Sequence, residues 1–247
     1  MSTINTEAIE SALSRHERVA LQLSGGRDSV AALYAMHPWW DRLTVYHLDT
    51  GDEFPEVTAL VQAIAQDVPV EIIRSNVHEV HASIGLPSDL VPADHEPLGR
   101  MVRGARLALT SRFTCCWHTI MAPMHQRMQD DGVTLIVRGQ RSADYVREPV
   151  PAGMMVDGVE LLFPIHHWRD TQVDEYVAGL GLPMPSFYAE GMSTTPDCMG
   201  CTAWLGDGRH AYMLRHHPER AQQAATQIRT IRRAVEAQLA NFDEVES

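Results

Sequence analysis

The sequence predicts an open, mainly parallel, twisted sheet with helices on both faces. Three observations lead there. Short apolar runs at Val19 to Leu23, Leu43 to Leu48 and Val68 to Ile73 alternate with stretches of helical periodicity, a βαβαβ pattern that requires crossovers and therefore parallel strands. The first run stops at Ser24-Gly25-Gly26, a turn that passes directly into the apolar-periodic stretch Ser29 to Met36. A chain of 247 residues with 45% hydrophobic content suits one principal α/β unit with appendages.

Taken in order, the segment leading to Arg18 reads as a polar amphipathic helix. The second apolar run closes at Asp49-Thr50-Gly51, and Pro55-Glu56 opens a helix to about Gln66, since proline is tolerated in a first turn. His78 to Pro97, punctuated by Pro87 and Pro92, has little periodicity and is expected to be irregular, a lid or a substrate-facing excursion. Helical pattern resumes from Leu98 to about Leu109. Another helix starts at Cys115-Cys116 and runs through Met128, and Thr134 to Val137 reads as a strand closed by Arg138 to Ser142. A hairpin-like passage through Gly153 and Asp157-Gly158 leads to the strand run Glu160 to Ile165 and a helix Asp170 to Leu180, ended by Gly181. Pro183 to Thr195 reads as loop. Pro218 to about Leu239 forms a long amphipathic helix, expected on the sheet or on the second subunit of a homodimer. The expected division is an α/β domain over 1–205 and a helical extension over 206–247.

The net charge of -12 argues against a diffuse electrostatic grip on nucleic acid, which relies on Lys and Arg neutralising phosphates. A nucleic-acid acceptor would then be held through a partner. No run of about 18 apolar residues occurs and the leading segment lacks the hydrophobic region of a signal peptide, so a soluble, cytoplasmic chain without membrane attachment is expected. In that setting the four cysteines serve metal or redox chemistry rather than disulfides.

The chemistry-bearing motif is Ser24-Gly25-Gly26-Arg27-Asp28-Ser29. A strand, a Gly-rich turn and a helix start bring backbone N–H groups and two hydroxyls to a helix N-terminus, where the macrodipole favours phosphate. An N-capped turn uses the same residue types; all six positions together, placed after the first strand, favour the anion site. Ser-Gly-Gly-x-Asp-Ser resembles the signature of the PP-loop adenine-nucleotide α-hydrolases, a Rossmann-like superfamily. The resemblance implies binding of ATP with Mg2+ and cleavage between the α and β phosphates. It implies that Ser24, Asp28 and Ser29 act in catalysis and that Gly25, Gly26 and Arg27 complete the nucleotide loop. Asp49-Thr50-Gly51, followed by Phe54-Pro55-Glu56, is similar to a segment of the phosphoadenylyl-sulfate reductase branch, and the carboxyl edge of a parallel sheet is where ligands sit. Gly139 and Arg141 resemble a Gly-x-Arg-x-Ser segment that lies over the phosphates, a task suited to a planar guanidinium. His118, His166 and His167 fit ordinary hydrogen-bonded roles better than catalytic ones.

Cys115-Cys116 and, far along, Cys198-Met199-Gly200-Cys201 supply four soft thiolates, which suit zinc or an iron-sulfur cluster; buried thiols without metal are the third reading. A tandem pair is awkward around one small tetrahedral ion and favours a larger cluster. The pattern resembles the 4Fe-4S ligand set of bacterial adenylyl-sulfate reductases. Pro123 after Cys116, Phe163 to Trp168, Val173 to Tyr176 and Leu182 to Tyr188 match that family as well, so the likeness spans roughly Val19 to Thr202. Three departures point away from sulfonate reduction: no cysteine follows Cys201, the first loop is intact where the reductases carry a degraded one, and Thr119-Ile120 stands where they carry a basic residue. The expected function is therefore an AMP-forming, ATP-dependent sulfur-transfer enzyme, with a nucleic-acid or small-molecule acceptor and a cysteine desulfurase or thioredoxin-like protein as sulfur donor. The alternatives are an adenylyl-sulfate or PAPS reductase using an external thiol, an oxidoreductase, and a non-catalytic subunit that binds nucleotide and cluster.

Overall fold

A computed structural model describes residues 4–144, 151 and 153–246. Among the described residues eight strands occur in chain order: β1 (Val19–Gln22), β2 (Leu43–Asp49), β3 (Val70–Arg74), β4 (Leu86–Ser88), β5 (Leu109–Ser111), β6 (Leu135–Val137), β7 (Met155–Val156) and β8 (Val159–Leu162). The α-helices are α1 (Thr6–Arg15), α2 (Arg27–Ala35), α3 (Pro55–Ile64), α4 (Val77–Ile84), α5 (Pro97–Arg103), α6 (Arg112–Cys116), α7 (Ala122–Asp130), α8 (Asp170–Ala178), α9 (Arg209–His216) and α10 (Pro218–Glu246).

The chain gathers into two compact units that interleave in sequence. The first comprises residues 1–49, 54–73 and 124–185, and the second 50–53, 74–123 and 186–247.

In the first unit six strands form one sheet in the order β3-β2-β1-β6-β8-β7. β1 runs parallel to β2 and to β6, β6 runs parallel to β8, and β7 runs antiparallel to β8. The expected open, mainly parallel sheet is present. β1 and β6 carry continuous apolar runs because parallel strands are covered on both faces: Ala20, Leu21, Leu135 and Val137 are fully buried. From β1 the chain proceeds outward to β2 and β3, then returns to the other side of β1 for β6 and β8. The gap between β1 and β6 is thus a topological switch point, the place where such sheets bind ligands.

The second unit carries the small parallel pair β4-β5, with Leu86 opposite Leu109. The stretch His78 to Pro97, expected to be irregular, instead contains α4 and β4. Asn76 caps α4 by accepting from the His78 and Glu79 N–H groups, and Gly85 ends it at φ 101°. Helical structure after Leu98 ends at Arg103 rather than about Leu109, because Gly104 adopts a left-handed C-cap and Leu109 to Ser111 pairs as a strand. The tail helix extends to Glu246, and its Ala221, Ala224 and Ile231 are buried. Among the described residues no helix is long and apolar enough to cross a membrane.

Candidate nucleotide loop and thiol site

In the first unit, β1 leads straight into the Ser24 to Ser29 turn. Its exit is fixed by the Leu23 N–H donating to the Tyr46 carbonyl at 2.8 Å and by His47 Nδ1 donating to the Leu23 carbonyl at 2.8 Å. The two serines close the turn on itself. The Ser24 hydroxyl donates to Ser29 Oγ at 3.1 Å, Ser29 Oγ donates to the Gly26 carbonyl at 2.8 Å, and the Gly26 N–H reaches Ser24 Oγ at 3.4 Å. Gly25 sits at φ 75°, and a Cβ there would lie 2.4 Å from Val57 Cγ1, so only glycine fits. Gly26 caps α2 without a side chain. The first turn of a helix has N–H groups with no intrahelical partner, and such a bare start favours an anion.

The next loop over, at the carboxyl end of β6, packs on this turn. A Cβ on Gly139 would lie 2.4 Å from the Asp28 carbonyl oxygen and 2.6 Å from the Ser29 nitrogen. Arg141, 4% exposed, faces three carboxylates: Nη1 donates to Asp170 at 2.9 Å and Nη2 to Asp144 at 3.0 Å, while Nε lies 2.8 Å from Asp28 Oδ1 without the alignment of a hydrogen bond. Arg27 also pairs with Asp170 and Asp174, at 3.3 and 2.8 Å. Burial pushes the Asp28 carboxyl above its ordinary value, and the opposing pull of Arg141 does not cancel it. Ser24, Gly25, Gly26, Arg27, Asp28, Ser29, Gly139 and Arg141 thus form one cluster at the switch point. Asp49 ends β2 in the same unit.

The second unit gathers the cysteines. α6 ends at Cys115-Cys116 and continues as a π-helical turn, Trp117–Met121, before α7; π turns inside α-helices concentrate at functional sites. Cys115 is buried, with Sγ 3.5 Å from His81 Nε2 and 3.8 Å from Thr119 Oγ1. Cys116, Cys198 and Cys201 line one cavity of about 490 Å³ with Arg112, Trp204 and Arg209. Burial pushes the Cys115 thiol up to about 11 and raises Cys116 and Cys198 as well; for Cys198 the Thr50 hydroxyl offsets part of that rise. Such thiols stay neutral until a cation draws off the proton.

Thr50 and Gly51 belong to this unit, and Thr50 Oγ1 donates to the Asp197 carbonyl at 2.8 Å. The Cys198 carbonyl accepts from Arg209 Nη1 at 3.1 Å. Asp52 accepts from the Met199 and Gly200 N–H groups, and from Arg220 of α10. Sequence reading missed His81, Asp52 and Arg220, whose partners lie far off along the chain, and Arg209, whose partner Cys198 is eleven residues away. The Asp-Thr-Gly-Asp run was visible, yet nothing local assigned Asp52 to the cysteine loop.

Among the described residues no three His, Cys, Asp or Glu side chains converge as a group that could hold a metal ion. A single zinc ion would need its sulfurs about 2.3 Å from one point. Three of the four thiols, Cys116, Cys198 and Cys201, share one cavity, and Cys115 does not line it.

The sequence matches the phosphoadenosine phosphosulfate reductase domain family over residues 18–204. The chain belongs to that family, and its loop and fold are those of the nucleotide-binding PP-loop proteins. Among solved structures it is similar to the phosphoadenylyl-sulfate reductase of Candida auris in a phosphate complex, with a TM-score of 0.53 and 15% identity over 77% of this chain and 86% of that one. A weaker similarity links it to Candida glabrata FMN adenylyltransferase in complex with FAD and inorganic pyrophosphate, with a TM-score of 0.47 and 15% identity over 73% of this chain and 54% of that one. Among curated proteins none matches the sequence.

Proposed function

We propose that this chain is an AMP-forming, ATP-dependent sulfur-transfer enzyme. The observation that carries the reading is the intact Ser24 to Ser29 loop, closed by its own hydroxyls at the bare start of α2 and seated at the switch point of the sheet. An acceptor oxygen attacks the α-phosphorus of ATP, its bond to the bridging oxygen breaks, and pyrophosphate leaves. A sulfur nucleophile then displaces AMP from the activated acceptor. The loop N–H groups with Ser24 and Ser29 bind the departing pyrophosphate, as fixed donors do where charge develops. Asp28, whose carboxyl burial raises, would hold Mg2+, which would supply charge neutralisation at the phosphates and favour the ionised carboxylate.

Cys115, Cys116, Cys198 and Cys201 would hold a 4Fe-4S cluster, which supplies a site of electron transfer or sulfide attachment when bound. A cysteine desulfurase or thioredoxin-like donor brings the sulfur, and with a net charge of -12 a nucleic-acid acceptor arrives through a partner. Family membership favours a second reading, reduction of adenylyl sulfate by an external thiol.

Anaerobically purified protein, analysed for iron and sulfide and supplied with ATP, sulfide and candidate acceptors, should release AMP and pyrophosphate in equal amounts. Sulfite release from adenylyl sulfate by the chain with a thiol reductant, together with no AMP from ATP, would install the second reading instead.

A further inference from the structure

The Cys198 to Cys201 loop is held by one buried carboxylate. Asp52 is 8% exposed and sits at the far end of the sequence from α10. Its main-chain carbonyl accepts the Met199 N–H at 2.6 Å, and its Oδ2 accepts the Gly200 N–H at 2.8 Å. The N–H groups of both residues between the two cysteines therefore end on the same residue. Arg220, in the first turn of α10, closes the other side with a two-pronged contact, Nε to Oδ1 at 2.9 Å and Nη2 to Oδ2 at 2.6 Å. A buried carboxylate persists only where it is paired and its lone pairs are used, and here its three contacts serve the cysteine loop or the group that locks it.

Gly200 completes the arrangement. A Cβ at that position would stand 2.0 Å from Arg220 Nη2 and 2.3 Å from its Cζ. A free arginine would swing away, but this one is pinned by Asp52, so the glycine is required by the pair and not by its backbone angles. Thr50 at the Asp197 carbonyl and Arg209 at the Cys198 carbonyl brace the preceding peptides.

We infer that Asp52 and Arg220 are positioning residues that hold the Cys198–Cys201 loop in the form presenting both thiols to their common cavity. The inference rests on the reading of the cysteines as one ligand set, and its first test needs no metal. Metal-free protein is treated with iodoacetamide and the labelling of each cysteine peptide is followed by mass spectrometry. Asp52→Ala, Arg220→Met and Gly200→Ala are each expected to raise the Cys198 labelling rate relative to Cys115 about tenfold or more, as local opening replaces a fixed loop. Arg220→Lys, which keeps the charge and one contact, should fall between wild type and Arg220→Met.

An unchanged Cys198 to Cys115 ratio in folded Asp52→Ala and Arg220→Met would overturn the inference. So would global unfolding of all three variants, read by circular dichroism, since the pair would then hold the fold and not the loop. A second arm reconstitutes the proteins anaerobically and measures iron, sulfide and the visible charge-transfer absorption. Loss of iron in the variants with wild-type retention extends the clamp to the cluster. If wild type itself takes up no iron, the ligand-set reading fails, while the labelling ratio still decides the clamp.

Discussion

Arg141 Nε lies 2.8 Å from Asp28 Oδ1, and the same guanidinium also holds Asp144 and Asp170. The residue is 4% exposed, so three carboxylates gather on one buried cation, with Arg27 sharing Asp170. Arg141→Ala should destabilise the protein by about 3 kcal/mol, the scale for breaking a buried pair and leaving like charges together. Chemical denaturation read by fluorescence checks it. A cost near zero would mean that solvent already screens the cluster.

Asp28 gives the opposite sign. Its carboxyl titrates above 3.8 in the folded state because burial outweighs Arg141. The native state then binds more protons than the unfolded one across that window, so stability falls as pH rises through it. Asp28→Asn should accordingly be more stable than wild type at pH 7, with the advantage vanishing below pH 3.8, while ATP and Mg2+ binding are lost. Paired stability curves against pH and nucleotide titrations measure both.

Glu160 provides the structural contrast within the same sheet. His16 Nε2 and Arg15 Nη2 reach its carboxylate at 2.7 and 2.6 Å. Burial works to raise its carboxyl, but those two hydrogen bonds hold it below the usual 4.5. The stability it contributes is therefore present above pH 4.5 and lost as pH falls through the lowered value. Glu160→Gln should cost roughly 1–3 kcal/mol at pH 7 and nothing at the acid end of the curve, a slope of opposite sense to that of Asp28→Asn.

What could be read along the chain was local. The loop at Ser24, the strand before it and the helix after it announce themselves within eighteen residues of sequence, from Val19 to Met36. The cysteine pattern likewise needs only its own spacing. α4 was hidden because a helix of eight residues between Asn76 and Gly85 shows too few turns for periodicity to register, although both cap residues were in view. Glu160 with His16 and Asp52 with Arg220 are 144 and 168 residues apart. No propensity or periodicity reports such pairs, which are products of the tertiary fold. Thr50 is a further case: nothing in its local Asp-Thr-Gly context reports that its hydroxyl is bonded to the cysteine loop at Asp197.

Gly139 links the two loops of the proposed nucleotide site, and Gly139→Ala tests that link. The added methyl would meet the Asp28 carbonyl at 2.4 Å and the Ser29 nitrogen at 2.6 Å, both backbone atoms that cannot turn aside. Overpacking of this kind costs roughly 1–3 kcal/mol, and the strain falls on the peptide that orients the start of α2. AMP formation should drop with the apparent affinity for ATP, measured by pyrophosphate release and by nucleotide titration. Retention of full ATP affinity would mean that the anion sits elsewhere.

Ser24 and Ser29 separate binding from chemistry. Each hydroxyl closes the turn in the resting protein, and in the proposed reaction each turns to the leaving pyrophosphate. Ser24→Ala and Ser29→Ala should lower kcat for AMP release by about 10- to 1000-fold, as removal of one preorganised donor does. KM for ATP should move far less, because the remaining N–H groups and the α2 terminus still hold the ground-state phosphates. Single-turnover release of labelled pyrophosphate isolates that step. Equal loss in KM and no change in kcat would assign the serines to the architecture of the loop alone.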